Sequence, residues 1–399
     1  MERSQERNGG EGVAGREPGG EGLRLRREIG LWSAVSLMAG CMIGSGVFMS
    51  PQGVLVYMGS PGASLMVWAG CGLLAMMGAL CYAELSALVP KSGGEYAYIL
   101  QIFGSLPAFL VIYTFVLLVR PAAIAAVSLS FAEYAVTPFY PGCSSMPQAV
   151  LKGVAASCIL LLTLVNCWSS RLATMLVNVC AVAKVFSLLV IVVGGAVVLG
   201  QGRGHTETFL LAFHNTTQQA GRIGMAFYQG MWSFDGWNNV NYVVEELKNP
   251  KPQLLSMVHV HHLTPTPALM FTTAVALVLV IPGSFSTIVN FLSFLGWITY
   301  GTTIGCLLYL RIKKKNLPRP YKVPTIIPVI MLLASLYLVL APIIDHPQIE
   351  FLYIFLFLLS GIPVYFLFVY FHCQPRCLQM ATLYLQLLLE VAPTTKNVD

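Results

Sequence analysis

The chain has 399 residues, of which 56% are hydrophobic and only 10% charged, with a mean hydropathy of +0.72. A soluble domain carries roughly a quarter charged residues, so this composition excludes a water-soluble globular protein and places much of the surface in lipid. The net charge of +6 does not point to nucleic acid, because the basic residues gather beside apolar runs (Arg24, Arg26, Arg27, then Arg311, Lys313, Lys314, Lys315) as positive-inside loops do.

Taken in chain order, residues 1–29 are Gly- and charge-rich, with no apparent signal peptide, and read as a disordered cytoplasmic tail. The transmembrane domain follows over residues 30–372. No Asp, Glu, Lys or Arg occurs between Glu28 and Glu84, and Gly59-Ser60-Pro61-Gly62 divides that stretch into two spans. Further apolar runs predict spans at about 103–135 (long, hence tilted or bent), 148–168, 172–200, 222–241, 265–282, 286–310, 325–343 and 350–372, about ten in all. In lipid they must be helices, because each backbone polar group needs an internal partner. Residues 373–399 form a C-terminal tail.

A cytoplasmic N-terminus puts Lys91 to Glu95, Arg171, Glu245 to Lys248, Arg311 to Lys322 and the C-terminus inside. The loops then outside, Pro138 to Pro147, Gln201 to Gly221 and Asp345 to Glu350, hold few Lys or Arg. The second of them carries a glycosylation sequon, Asn215-Thr216-Thr217.

Among ten cysteines no spacing suggests a metal site: Cys373 and Cys377 lack a second pair, and Cys71, Cys81, Cys158 and Cys306 sit in apolar runs as packing residues. His259-Val260-His261-His262 puts three ligands on one short loop, which is weak support for zinc. No metal and no cofactor is expected.

Two spans contain helix-breaking clusters. Ile43-Gly44-Ser45-Gly46 sets small residues in the middle of the first span, and either helix packing or an opened backbone accounts for them. Opened, the free N–H groups at a half-helix N-terminus suit a carboxylate and the free carbonyls an ammonium. Trp232-Ser233-Phe234-Asp235-Gly236-Trp237 in the sixth span joins a Gly to an intramembrane carboxylate and flanking aromatics. Such a carboxylate costs several kcal/mol unpaired; Asp235 pairs either with a substrate cation or with Lys184 or Arg120. Broken spans one and six are five apart, the arrangement an inverted repeat of two five-helix units predicts.

These segments, from Ile43 through Met49-Ser50-Pro51, with Lys91-Ser92-Gly93-Gly94-Glu95-Tyr96, Phe234 to Asn238, Glu245-Glu246-Leu247-Lys248-Asn249-Pro250, Arg319-Pro320, Lys322-Val323-Pro324 and Leu340 to Ile343, resemble the light subunits of heteromeric amino-acid transporters, within the amino acid–polyamine–organocation superfamily. The nearest likeness is to the b-zero-plus type, which exchanges cystine and basic amino acids for neutral ones. The resemblance runs from about Arg26 to Val391.

It implies an all-α inverted-repeat transporter fold and an apical plasma-membrane location. Ile43, Gly44, Ser45 and Gly46 would bind the substrate α-carboxylate and α-amine. Ser233 and Phe234 would offer carbonyls, Trp232 would act as an aromatic gate, and Asp235 would favour a cationic side chain or second ammonium. Lys184 would stand where related transporters bind sodium, making exchange sodium-independent; half of a packing ion pair is the other reading. Cys143, in Phe139-Tyr140-Pro141-Gly142-Cys143, would form a disulfide with an rBAT-like single-span glycoprotein heavy chain; a free thiol is the other reading.

The family plan has twelve spans. The likeness breaks after Asn249-Pro250-Lys251-Pro252 and resumes near Leu254, so the seventh and eighth spans are expected to be missing, with a join at about 252–254. An even loss keeps everything downstream in its orientation. It also opens one wall of the site around Ser45 and Asp235, where exposed polar backbone is expensive. Two readings remain: a working exchanger, or a spliced, transport-deficient form that still captures the heavy chain. A membrane enzyme would need clustered acid, base and nucleophile or metal ligands, and only scattered charges occur.

Overall fold

The computed structural model describes residues 40, 42–89, 93–140, 147–201, 212–238, 257–259, 266–314, 319, 321–345, 349–371 and 391–393. The N-terminal tail, the C-terminal tail apart from 391–393, Cys143, the Glu245 to Lys248 stretch and the join itself lie outside them.

The first span is interrupted at Ile43-Gly44-Ser45, and α1 (Gly46–Met58) starts only at the third small residue. It stops at Gly59, whose left-handed φ of 73° few other residues adopt and whose N–H bonds Leu55 O. Extended Ser60 then leads into α2 (Pro61–Leu88), with Pro61 at the start, where its missing N–H costs nothing. The region predicted as one long bent span is built in pieces. Helix α3 (Glu95–Phe103) is cut from α4 (Ser105–Thr114) by Gly104, then a π-helical turn over Phe115–Val119 feeds α5 (Arg120–Val136).

The helices α6 (Gln148–Trp168) and α7 (Ser170–Gly200) follow. Next comes α8 (Ala220–Ser233), which ends inside the sixth predicted span. The remaining helices are α9 (Thr266–Val280), α10 (Phe285–Lys313), α11 (Ile326–Asp345) and α12 (Ile349–Val364), the last continued by a π-helical turn, Tyr365–Tyr370. Among the described residues, seven helical stretches are long and apolar enough to cross a bilayer: α2, α4 to α5, α6, α7, α10, α11 and α12. Of the other three predicted spans, the described residues hold α1, α8 and α9, which are shorter helices of 13, 14 and 15 residues. One departure from an all-helical chain is small: Met257–His259 pairs antiparallel with Val391–Pro393.

The main core joins α1, α2, α8, α10 and α11 with part of α3 and α12. Lipid tails are as apolar as leucine, so close backbone approach and buried polar bonds hold such helices together. A Cβ on Gly230 of α8 would fall 2.7 Å from the Cys71 sulfur of α2, and one on Gly53 of α1 3.0 Å from Gln229. A second cluster packs α5, α6, α9 and α10. Helix α7 stands apart: none of its residues with a described side chain is buried, and it leans mainly on α6.

Candidate substrate site

The two interruptions face each other. Helix α1 packs more extensively on α8 than any other pair of elements does, and a Cβ on Gly46 would lie 2.7 Å from Ser233 Cα and 2.9 Å from both Ser233 N and Trp232 Cδ1. Thus the first residue of one half-helix touches the last residue of the other. Partial positive charge at the start of α1 and partial negative charge at the end of α8 lie side by side.

The local backbone explains the polarity. Gly44 N bonds Met42 O at 2.8 Å, and Ser45 O accepts from Phe48 N and Met49 N. Among the described residues no acceptor takes the N–H groups of Ser45, Gly46 and Val47. On the other side Phe234 N bonds Met231 O at 3.1 Å and Asp235 N bonds Trp232 O at 3.4 Å, leaving the carbonyls of Ser233 and Phe234 without a donor among the described residues. The chain turns away at Gly236, φ 102°, a backbone angle that requires glycine. The Ser233 hydroxyl is buried beside Gly46 with no hydrogen-bond partner, as is that of Ser50, one turn along α1.

The predicted site residues distribute as follows. Ile43, Gly44 and Ser45 are half-buried in the break and Gly46 is buried. Trp232 is half-buried, edge-on to Phe285 (6.3 Å between centroids), and Phe234 tilts against Trp68 at 5.9 Å. Asp235 is exposed, and no ion pair joins it to Lys184 or Arg120 among the described residues. Lys184 is half-buried on the loosely packed α7; no described hydrogen bond or ion pair links its side chain to the breaks. Asn215 is exposed at φ 61° on a turn fastened to the α1–α2 corner by Thr217 N to Met58 O (3.0 Å) and by the Ser60 and Thr216 hydroxyls (2.7 Å). Cys143 lies outside the described residues.

Two polar closures flank the breaks that the sequence did not single out. Towards Met58, the buried Gln229 of α8 donates to Asn290 Oδ1 (2.8 Å) and the Ser286 hydroxyl (3.3 Å) of α10, while Asn290 donates to Tyr57 of α1 (3.4 Å). On the other side Asn238 donates to Glu95 Oε1 (2.8 Å), which also accepts from Tyr82 (3.1 Å). Trp237 is wedged between Tyr82 (4.8 Å) and Tyr300 (5.1 Å). Beyond it, Glu84 of α2 takes Arg311 of α10 in a two-pronged bond and the Val323 N–H at 2.8 Å. Uncharged amides such as Gln229 and Asn290 blend into an apolar run, and Glu84 and Arg311 look like span ends; only their long-range partners reveal them.

Two discontinuous helices meeting end to end within a bundle of apolar helices define a multi-pass membrane transporter. A family model described as amino acid permease matches residues 29–254 and 250–369. The b(0,+)-type amino acid transporter 1 of Mus musculus is 36% identical, and that of Homo sapiens 35%, each over 94% of this chain and 95% of the relative. The Large neutral amino acids transporter small subunit 2 of Homo sapiens is 32% identical over 92% of this chain and 86% of its own length. The chain belongs to the amino acid permease family and is a protein of amino-acid transport, not an enzyme. The b(0,+)-type alignments run over 465 positions, more than the 399 residues present here, so the relatives carry residues that this chain lacks. The two family matches overlap at residues 250–254.

Proposed function

We propose that this chain is the light subunit of a sodium-independent exchanger that moves cystine and basic amino acids against neutral ones across the plasma membrane. The end-to-end contact of Gly46 with Ser233 carries the reading, because it gathers bare amides and bare carbonyls at one point in the bilayer. There the N–H groups of Ser45, Gly46 and Val47 hold the α-carboxylate, and the Ser233 and Phe234 carbonyls hold the α-ammonium. Trp232 covers the substrate, and Asp235 attracts a cationic side chain or second ammonium. Lys184 supplies the positive charge that sodium brings in related transporters. Cys143 bridges to an rBAT-like single-span heavy chain outside the membrane, where Asn215 accepts a glycan. Both tails, 1–29 and 373–399, are cytoplasmic, and the epithelial location is apical.

The test is uptake of labelled arginine and cystine in cells co-expressing the heavy chain, normalised to surface protein. Uptake of both is expected without sodium, with arginine uptake falling about tenfold or more in Asp235→Ala. Unchanged arginine uptake in that variant removes Asp235 from the site. The unburied α7 and the shortened sequence favour a second reading, in which the chain captures the heavy chain through Cys143 without transporting. Uptake absent alongside a high-mass band that reduction collapses and Cys143→Ser abolishes selects that form.

A further inference from the structure

We propose that two copies of this chain pair side by side in the bilayer through the lipid-facing side of α7, with Asn178 on the two-fold axis between them. The pairing is a property of one helix surface and holds whatever the substrate.

Helix α7 has 31 residues, about 46 Å of length against a hydrocarbon layer of about 30 Å, so it crosses the bilayer completely. It leans on α6 along one narrow line, where Ala173, Lys184, Ser187 and Leu188 are half-buried; its other described side chains are exposed. At about 100° per residue, Asn178, Val182, Val185, Leu189, Val192 and Ala196 fall on one strip turned well away from that line. Their spacing alternates four and three, the repeat that keeps two helices in contact along their length. Beyond the ten predicted spans the sequence holds no other uncharged apolar run of about 20 residues. The chain therefore has no span of its own left to lay against this strip.

Lipid tails cover the apolar part of the strip, but they offer Asn178 no hydrogen bond. Its amide lies two turns past Arg171, about 10 Å further into the membrane. Other exposed polar side chains on α6 and α7 turn back onto their own helix. Asn166 Nδ2 donates to Leu162 O at 2.7 Å, Ser157 to Gly153 O at 2.8 Å and Ser187 to Lys184 O at 2.8 Å. Asn178 is exposed, and among the described residues no hydrogen bond reaches its side chain. An amide carries donor and acceptor together, so a second amide at the same depth completes it. Another copy in the same membrane stands parallel to the first, and a two-fold axis along the membrane normal sets Asn178 opposite its own counterpart, each Nδ2 donating to the other Oδ1. One polar residue in such a strip also fixes the register of the pair. Lys184 lies on the α6 side, clear of the axis, so like charges do not meet. This self-match selects a second copy over a span of different sequence.

The test is oxidative crosslinking of the full chain in membranes of cells that express it. Leu189→Cys and Val190→Cys place the thiol at one depth and at equal exposure (56% and 55% for the native side chains), but only position 189 lies on the strip. Leu189→Cys is expected to give a reducible band at the mass of two chains, with Val190→Cys no stronger than the unaltered chain, whose exposed Cys180 sets the background. Co-purification of two differently tagged copies from lipid nanodiscs of increasing dilution gives the affinity. There Asn178→Leu, a side chain suited to lipid, is expected to raise the dimer Kd about tenfold, and Asn178→Gln, which keeps the amide, to leave it nearly level. Equal bands from the two cysteine variants, a crosslink only to a protein of another mass, or an affinity indifferent to Asn178→Leu each overturns the proposal. Because the readout is association, any of these leaves the amino-acid site standing.

Discussion

Gly46→Val is expected to reduce amino-acid uptake about 100-fold per surface molecule, the loss typical when a site is displaced by about 1 Å. The cause is steric and local. A Cβ at position 46 would sit 2.7 Å from Ser233 Cα and 2.9 Å from Ser233 N, both backbone atoms, where ordinary contact begins at 3.4 Å. No rotamer change relieves that overlap, so α1 and α8 must separate, and the bare amides of one break then no longer face the bare carbonyls of the other. Gly46→Ala introduces the same Cβ and is expected to lose most of the uptake too. The surrounding core, which ties α8 to α2, α10 and α11, keeps the protein folded and at the cell surface. Uptake and surface biotinylation measured together check this; full uptake in Gly46→Val would show that the close approach is dispensable.

Glu84→Ala is expected to act on folding. Glu84 is fully buried and Arg311 is 7% exposed. The carboxylate also takes the Val323 N–H, while Arg311 further donates to Val323 O (2.7 Å) and the Thr325 hydroxyl (3.1 Å). Removing one partner of such a pair leaves the other charge buried and costs about 3–5 kcal/mol, a large part of the 5–15 kcal/mol typical of whole domains. Most of the protein is expected to be retained before the cell surface, with a lower melting temperature in detergent. Arg311→Lys, which keeps the charge without the two-pronged geometry, falls between. Exchanging the two residues does not rescue, because Val323 N–H still needs an acceptor at position 84. Melting curves of the three variants beside the unaltered chain give the order.

Much of the architecture was legible because a bilayer imposes simple rules. Long apolar runs had to be helices, and the small-residue cluster at Ile43 to Gly46, like the carboxylate and glycine at Asp235 and Gly236, announced where helices would stop. The internal division of the third span was less legible, since Gly104 reads as an ordinary apolar-run glycine and a π-helical turn has no residue signature. Contacts between distant elements were hidden altogether. Nothing local pairs Gln229 with Asn290 or Glu84 with Arg311, and Met257 to His259 finds its strand partner near the other end of the chain. The isolation of α7 belongs to the same class. Its sequence is a sound apolar helix, and only its neighbours would show whether Lys184 reaches the breaks.

The most direct test of the central claim, that two abutting half-helices make a working amino-acid site in this shortened chain, is exchange in proteoliposomes. Purified chain paired with the proposed heavy chain is reconstituted with a neutral amino acid inside, and labelled arginine is added outside without sodium. Entry that depends on the internal amino acid and is lost in Gly46→Val is the expected result. Entry no greater than in protein-free liposomes, from paired and monodisperse protein, would contradict it.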